Sequence, residues 1–317
     1  MGLLFATATV LHAEKPVVVP EVVPEGIQTF TIKTRMEANK EVPFYLRVPQ
    51  NYRPGKAHRL LFLCPGLNLG GIKKIGMYPE WMKVADDRGW FVLSCTFHMP
   101  AEGNKDRKFS FYYPEEFSGK VVLEALKRVS EKYSVDVDRI LMEGQSGGAQ
   151  FVHRFAVWAP DRVIAVAVNS SSWFDPPNAQ SNRVAWLMTI GESDNSFSNS
   201  LEMVDRLRQV GAAPLFRSYI GMLHEGCWEA NELTIEFFKF HDSRTQHELG
   251  KPRDGFTIAN QPLALQGEKM PYVGDSQDWE YVPNTPEERE NIAEDYRVYI
   301  PSEEVAKLWG KPKSDEE

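Results

Sequence analysis

Cysteine is scarce in this chain of 317 residues, which contains only three. Three cysteines cannot build a disulfide framework. Cys64 and Cys95 stand within apolar runs typical of strands, where a free cysteine usually acts as a small buried hydrophobe. We therefore expect no disulfide scaffold, no metal centre and no cofactor. The cysteines leave the cellular compartment open.

Positive charge is also in short supply. The chain has 36 Lys and Arg against 44 Asp and Glu, which gives a formal net charge of -8. No stretch of the sequence forms a basic stripe. Because binding to nucleic-acid phosphates depends on concentrated Lys and Arg, nucleic acid is excluded as a partner.

Apolar runs long enough to cross a membrane are missing as well. The N-terminal stretch Met1–Ala13 is too short to span a bilayer. Its small apolar residues are typical of a secretory signal cleaved after Ala13, although no basic residue precedes Lys15. A Pro- and Val-rich linker follows. We assign residues 1–25 to this signal-like segment and linker and expect a secreted or periplasmic protein, with a cytoplasmic one as the alternative.

The body of the protein is predicted to extend from residue 26 to 242. Continuous apolar runs such as Arg59–Cys64 and Val163–Val168 are typical of strands buried on both faces. They alternate with amphipathic patterns such as Phe117–Lys132. This alternation predicts an α/β fold, a mostly parallel sheet with helices on both faces. In such sheets the ligand site lies beyond the C-terminal ends of the strands.

One segment carries the signature of a nucleophile. Gly144-Gln145-Ser146-Gly147-Gly148 fits G-x-S-x-G and lies directly between the predicted strand Arg139–Met142 and the predicted helix Gly147–Trp158. That strand–turn–helix context is the one in which the motif forms a nucleophile elbow. The bend projects the serine hydroxyl above the sheet, and Gly144 and Gly148 leave room for it. Ser146 is therefore the predicted nucleophile.

A serine hydroxyl needs an adjacent base. His224 follows the last strongly apolar strand and precedes a predicted helix, which places it at the correct end of the sheet. His98 also follows a strand and remains the alternative base, or else a substrate contact. His153 lies on the same predicted helix as the nucleophile, about 10 Å along its axis. At that distance it cannot hydrogen-bond to Ser146.

The acid that orients the base is predicted to be Asp194. It follows the strand Val184–Ile190 and lies between the serine and the histidine in sequence, an order typical of α/β-hydrolases. Glu192, in the same loop, and Asp175, in the preceding loop, are alternatives. A turn or capping aspartate is the ordinary structural role for such a residue.

Two backbone donors are expected to form an oxyanion hole. Gly147 supplies one N–H, and the loop after Arg59–Cys64 supplies the other, for which Leu67 is the candidate. This loop lacks an HGGG signature. Asn68 in the same loop, His98 and Trp173 are candidate substrate-binding residues, although core packing accounts for Trp173 equally well.

Together these motifs resemble the α/β-hydrolase superfamily. Within it, GQSGGAQFVHRFA after a predicted strand is similar to the polyhydroxybutyrate-depolymerase, feruloyl-esterase and dienelactone-hydrolase-like group. The resemblance covers about residues 27–242. It implies a serine esterase that cleaves carboxylic esters, with Ser146, Asp194 and His224 as its catalytic triad.

The segment 169–183 is too short for a lid domain, so an open site that suits bulky, aromatic or polymer-linked esters is expected. A serine peptidase of the prolyl-oligopeptidase type is an alternative, although no propeller or gating domain is present in the sequence. A catalytically silent binding protein with the same fold is a second alternative. The sequence gives no oligomeric state.

Residues 243–317 break the alternation and are predicted to be an extension docked on the body. Thr285-Pro286-Glu287-Glu288 predicts a capped helix start, and a second short helix is predicted near Ser302. The extension has too many aromatic residues for a solvated tail. Its end, Lys311–Glu317, is predicted to be disordered.

Overall fold

The protein's structure, a computed structural model, describes residues 25–35, 40–67, 69–98, 112–251 and 267–313. The predicted signal-like segment and Asn68 lie outside the described residues. Eight strands of these residues form the main sheet. In chain order they are β1 (Ile27–Lys33), β2 (Glu41–Arg47), β3 (His58–Cys64), β4 (Phe91–Cys95), β5 (Val135–Gln145), β6 (Val163–Asn169), β7 (Ala185–Gly191) and β8 (Leu215–Tyr219).

The spatial order of the main sheet is β1-β2-β4-β3-β5-β6-β7-β8. β1 and β2 pair antiparallel, as do β2 and β4, and every other pair is parallel. Every residue of β3, β4, β6 and β7 is buried, which explains their continuous apolar sequences. The predicted mostly parallel sheet is confirmed.

Helices cover both faces of this sheet. On one face lie α3 (Ser118–Lys132), α4 (Gly147–Trp158) and α5 (Phe197–Gln209). On the other face lie α1 (Gly71–Met77), α2 (Pro79–Arg88) and α6 (Trp228–Thr245). Successive residues of β3 point into opposite cores, since Leu60 and Phe62 face one and Leu61 and Leu63 the other. Among the described residues no helix combines the length and hydropathy needed to cross a membrane.

Three details of the body differ from the sequence prediction. β5 extends well beyond the predicted Arg139–Met142 at both ends because it pairs with two neighbouring strands. α1 was not predicted, since it is short, begins with Gly71 and has no side-chain cap. α6 continues to Thr245, past the predicted boundary at 242, and the Thr245 hydroxyl accepts a hydrogen bond from the buried Arg59 guanidinium.

The C-terminal extension contains a second sheet that the sequence did not predict. Its strands are β9 (Tyr272–Asp275), β10 (Glu280–Pro283), β11 (Arg297–Ile300) and β12 (Lys311–Pro312), in the order β11-β9-β10-β12. Both predicted helices are present as α7 (Pro286–Glu290) and α8 (Glu303–Trp309). The Thr285 and Ser302 side chains cap them by accepting from the N–H groups of Glu288 and Val305.

The extension packs against α6, β8 and α5. Trp309 is completely buried, and its indole N–H donates to the Phe216 carbonyl at 2.6 Å. The Trp279 ring lies 4.0 Å from the Arg217 guanidinium. The predicted disorder from Lys311 onward is wrong for Lys311 and Pro312, because the Lys311 N–H donates to the Trp279 carbonyl and the two residues pair with β10. Residues 314–317 lie outside the described residues.

Candidate active site

Ser146 lies on a sharp bend between β5 and α4. Its backbone has φ 54° and ψ -119°, a conformation in which residues with a side chain are strained. The flanking glycines make the bend possible. A Cβ on Gly144 would lie 2.3 Å from the Gly148 carbonyl oxygen, and one on Gly148 would lie 2.4 Å from the Cys64 carbonyl oxygen. The motif therefore forms the predicted elbow for steric reasons.

The structure brings the three predicted catalytic side chains into one hydrogen-bonded chain. His224 Nε2 lies 2.8 Å from Ser146 Oγ, and His224 Nδ1 lies 2.7 Å from Asp194 Oδ2. The Asp194 side chain is only 2% exposed, whereas that of His224 is 40% exposed. A buried carboxylate thus fixes an imidazole whose other nitrogen faces the hydroxyl. This geometry allows the hydroxyl proton to move to His224 during nucleophilic attack.

The loop after β7 holds Asp194 in place. Its second carboxylate oxygen, Oδ1, accepts from the Ser196 N–H at 2.8 Å, and its own N–H donates to the Gly191 carbonyl. The contribution of Ser196 was not predicted, because a backbone N–H leaves no mark in the sequence. A Cβ on Gly191 would meet the Met222 carbonyl oxygen at 2.3 Å. The loop of Asp194 (residues 192–196, the acid loop) is therefore in direct contact with the loop of His224 (residues 220–227, the histidine loop).

The alternative acids bond to other side chains, and the alternative base stands in another loop. Glu192 accepts a hydrogen bond from the Ser218 hydroxyl at 2.7 Å, and Asp175 is ion-paired with Arg154 at 3.0 Å. His98 is exposed at the end of β4. The imidazole that contacts Ser146 Oγ is that of His224.

The loop after β3 passes over the elbow. A Cβ on Gly66 would lie 3.2 Å from the Gln145 carbonyl oxygen and 3.6 Å from Ser146 Cβ. Gly147 is the first residue of α4, and Leu67 is 45% exposed in the loop. Among the described residues, no partner is found for the backbone N–H of either. Gly147 and Leu67 therefore remain the predicted oxyanion donors.

His153 has a role that the sequence did not predict. It is fully buried on α4, its Nδ1 donates to the Ala149 carbonyl, and its Nε2 accepts from the Asp175 N–H at 2.9 Å. Burial, with a smaller contribution from the Arg154 charge, lowers the pKa of His153 to about 3. The imidazole is therefore neutral and anchors the loop that carries Trp173, whose side chain is 69% exposed.

No protein-family model matches the chain, and no curated protein matches it by sequence. Solved structures match the chain by their backbone. A ferulic acid esterase is 17% identical with a TM-score of 0.50, and the match covers 69% of this chain and 95% of that one. An S-formylglutathione hydrolase from Agrobacterium tumefaciens is 14% identical with a TM-score of 0.53, over 69% of this chain and 95% of that one.

A candidate dipeptidyl aminopeptidase IV from Bacteroides ovatus is 13% identical with a TM-score of 0.54. That match covers 68% of this chain but only 35% of the other. At such identities the likeness concerns the backbone and not the chemistry. The strand order, the elbow and these matches establish that this chain has the α/β-hydrolase fold.

Proposed function

We propose that the protein is a serine hydrolase that cleaves carboxylic esters through an acyl-enzyme. The observation that carries the proposal is the continuous hydrogen-bonded chain from Asp194 through His224 to Ser146, with separations of 2.7 and 2.8 Å. The esterases among the structures with the same fold support the choice of an ester as the substrate.

In the first half of the reaction Ser146 Oγ attacks the ester carbonyl carbon while its proton passes to His224 Nε2. Asp194 stabilises the resulting imidazolium through its bond to Nδ1. The carbonyl oxygen becomes an oxyanion, which the N–H groups of Gly147 and Leu67 stabilise. The tetrahedral intermediate then expels the alcohol, which takes the proton from His224. The acyl group is left on Ser146.

In the second half a water molecule gives a proton to His224 and attacks the acyl carbon. The same two N–H groups stabilise the second oxyanion. Collapse of this intermediate releases the carboxylic acid, and the proton on His224 returns to Ser146 Oγ. The N-terminus of α4 adds positive potential beside the developing negative charge.

Bulky, aromatic or polymer-linked esters are the proposed substrates. β6 and β7 are connected by a segment whose only regular element is a short 3-10 turn at Ala179–Arg183. The exposed Trp173 lines a cavity of about 460 Å³, whose wall combines Phe174 and Met203 with polar and charged side chains such as Glu202 and Arg206. An open site with an exposed indole favours flat or extended groups, which can stack on the ring.

Replacement of the nucleophile tests the proposal. Ser146→Ala is expected to lower the turnover of p-nitrophenyl acetate by roughly 10⁴- to 10⁶-fold, while the circular dichroism spectrum stays unchanged. Ser193→Ala is the matched control, since Ser193 is an exposed serine of the acid loop. A fluorophosphonate probe is expected to label Ser146 in the wild type. Labelling at another residue, or hydrolysis by Ser146→Ala at the wild-type rate, contradicts the proposal.

The ester and amide alternatives are separated by one comparison. An esterase is expected to hydrolyse a p-nitrophenyl ester far faster than the corresponding p-nitroanilide. A preference for the anilide assigns the protein to the peptidases instead. Absence of turnover on either substrate, with an unlabelled Ser146, identifies a silent binding protein.

A further inference from the structure

A buried ion pair lies directly below the candidate active site. Lys74 of α1 and Glu143 of β5 are each 1% exposed, and Lys74 Nζ lies 2.9 Å from Glu143 Oε1 and 2.8 Å from Oε2. Glu143 lies on β5, three positions before Ser146, and Lys74 follows the loop that contains Leu67. The pair therefore joins the two backbone segments that meet at the elbow.

The pair continues as a polar ladder across the next two strands. Asn169 Nδ2 at the end of β6 donates to Glu143 Oε1 at 2.9 Å. The Asn169 side-chain oxygen in turn accepts from the Thr189 hydroxyl of β7 at 2.7 Å. All four side chains are buried. They connect one helix and three adjacent strands through directional contacts.

Asn169, Lys74 and Thr189 each lie next to a part of the proposed catalytic machinery. The Asn169 carbonyl accepts from the Ser146 N–H at 2.9 Å, so Asn169 contacts the nucleophile's backbone as well as Glu143. The Lys74 N–H donates to the Gly70 carbonyl. Gly70 ends the loop after β3 that contains Leu67 (residues 65–70, the oxyanion loop). Thr189 lies on the strand that ends at Gly191 and leads into the loop of Asp194.

The histidine loop meets the same region. The Ser170 hydroxyl, one residue after Asn169, donates to the Glu225 carbonyl at 3.3 Å. A Cβ on Gly226 would lie 2.9 Å from the side-chain nitrogen of Gln145 and 3.0 Å from the Tyr78 hydroxyl. The loop that carries His224 therefore packs on residues next to the ladder.

Stability alone is a weak reason for an ion pair at this place. A buried pair costs several kcal/mol in lost hydration, and apolar residues of similar volume often replace it without loss of stability. What apolar residues cannot supply is a fixed distance and direction between elements. A misplacement of about 1 Å in an active site can reduce the rate about 100-fold.

We propose that Lys74, Glu143 and Asn169 are positioning residues that hold Ser146, the oxyanion loop and the acid loop in their reactive arrangement. This inference rests on the proposed function, because it assigns the ladder a role in the reaction of Ser146. The ladder touches neither the ester nor the reacting atoms; it acts through the backbone segments to which it is bonded.

The test compares kcat per reactive serine, which is counted by end-point labelling with a fluorophosphonate. Glu143→Gln keeps an oxygen for Asn169 but turns an amide N–H₂ toward the Lys74 ammonium. It is expected to lower kcat by about 10- to 100-fold with KM within about twofold. The rate of Ser146 labelling is expected to fall in parallel.

A second variant covers the case in which Glu143→Gln fails to fold. Lys74→Met/Glu143→Gln removes both charges, so no lone ion is buried. We expect it to fold with a melting temperature close to that of the wild type and still to lose kcat. Arg59→Met/Asp242→Asn is the matched control, since it removes a buried ion pair at the opposite end of the same sheet. Its kcat per labelled serine is expected to equal that of the wild type.

The outcomes separate the two hypotheses. If the folded double variant at 74 and 143 keeps kcat per labelled serine within twofold of the wild type, the positioning role is overturned. Equal losses in this variant and in its control also overturn it, because a purely structural effect would produce them. If Ser146→Ala hydrolyses esters as well as the wild type does, the proposed function itself fails, and the positioning role fails with it.

Discussion

The two ends of the main sheet each contain a buried ion network, and the two networks differ in what is attached to them. At the N-terminal end Arg59 Nε bonds to Asp242 at 2.9 Å, and Asp242 also accepts from the Trp90 indole N–H at 2.8 Å. These residues join β3, α6 and the residue before β4, and none of them borders a reactive group. The network around Lys74 and Glu143 lies beneath Ser146 and its loops.

Burial and pairing alone do not reveal the role of an ion pair. One network ties α6 to β3, and the other ties α1 to β5, β6 and β7. Both are almost completely removed from solvent. Only the network at the C-terminal edge is bonded to backbone that the proposed reaction uses. We therefore expect substitutions at the two ends to separate stability from catalysis.

The largest effect on stability is expected from Arg59→Met. This change leaves Asp242 buried, with an exposed fraction of 0%, and without its counter-charge. The free energy of unfolding is expected to fall by about 3–5 kcal/mol, as measured by urea denaturation. The folded fraction is expected to keep wild-type kcat per labelled serine. A loss of kcat equal to that of Glu143→Gln would remove the distinction between the two ends.

A smaller effect on the free energy of unfolding is expected from substitutions of two buried histidines. His153→Phe keeps a buried ring but leaves the Asp175 N–H without its acceptor, so we expect a loss of about 1–3 kcal/mol. KM for aromatic esters is expected to rise, because the loop of Trp173 loses its anchor.

His241→Phe is the counterpart on α6. The His241 ring is buried, and neither ring nitrogen has a hydrogen-bond partner among the described residues. Its replacement is therefore expected to leave stability unchanged or raise it. Urea denaturation of His153→Phe and His241→Phe measures the two changes in the free energy of unfolding. Equal destabilisation by both would show that the hydrogen bond of His153 contributes nothing.

The pH dependence of stability is expected to follow from the same two histidines. Burial lowers the pKa of His241 well below its ordinary value, as it does for His153, whose pKa is about 3. An unfolded histidine has a pKa of about 6.5, so between these values the unfolded chain binds protons that the folded chain does not. The stability present above pH 6.5 is therefore lost as the pH falls.

The free energy of unfolding is expected to fall by up to about 1.4 kcal/mol per pH unit for each such histidine. Urea denaturation between pH 6.5 and 5 measures it, before most carboxylates titrate. His241→Phe is expected to make the free energy of unfolding less dependent on pH, by the contribution of one histidine. An unchanged slope in this variant would mean that His241 is not buried neutral.

The smallest effect on stability is expected from Trp173→Ala, at the C-terminal edge of the main sheet. Because the indole is 69% exposed, the free energy of unfolding is expected to change by no more than about 0.5 kcal/mol. KM for an aromatic ester is expected to rise several-fold, while KM for p-nitrophenyl acetate changes little. An equal change in KM for both substrates would argue against stacking on Trp173.

The main sheet and the elbow could be predicted because their signals are local. A buried parallel strand requires a continuous apolar run, and the bend at Ser146 requires small residues at fixed positions beside it. His224 and Asp194 could be placed because each follows a strand, and parallel strands end at one edge. Their mutual distances had to come from the structure.

The ladder and the second sheet could not be predicted because their signals are not local. Lys74 stands beside Lys73, and nothing in the sequence shows which of the two ammonium groups is buried against a glutamate 69 positions away. The strands β9 to β12 have four residues or fewer. Segments so short carry no clear alternation of apolar and polar residues.

The indole of Trp309 has a consequence for the folding of the chain during its synthesis. β8 forms one edge of the main sheet, and the Phe216 carbonyl on it accepts a hydrogen bond from the indole of Trp309, which lies 93 residues later in the chain. Until Trp309 is synthesised, a nascent chain presents a strand whose open side can pair with strands of other molecules. Yield and aggregation during expression thus depend on residues far from the catalytic groups. A chain truncated before residue 267 would keep Ser146, Asp194 and His224 and yet accumulate as insoluble protein.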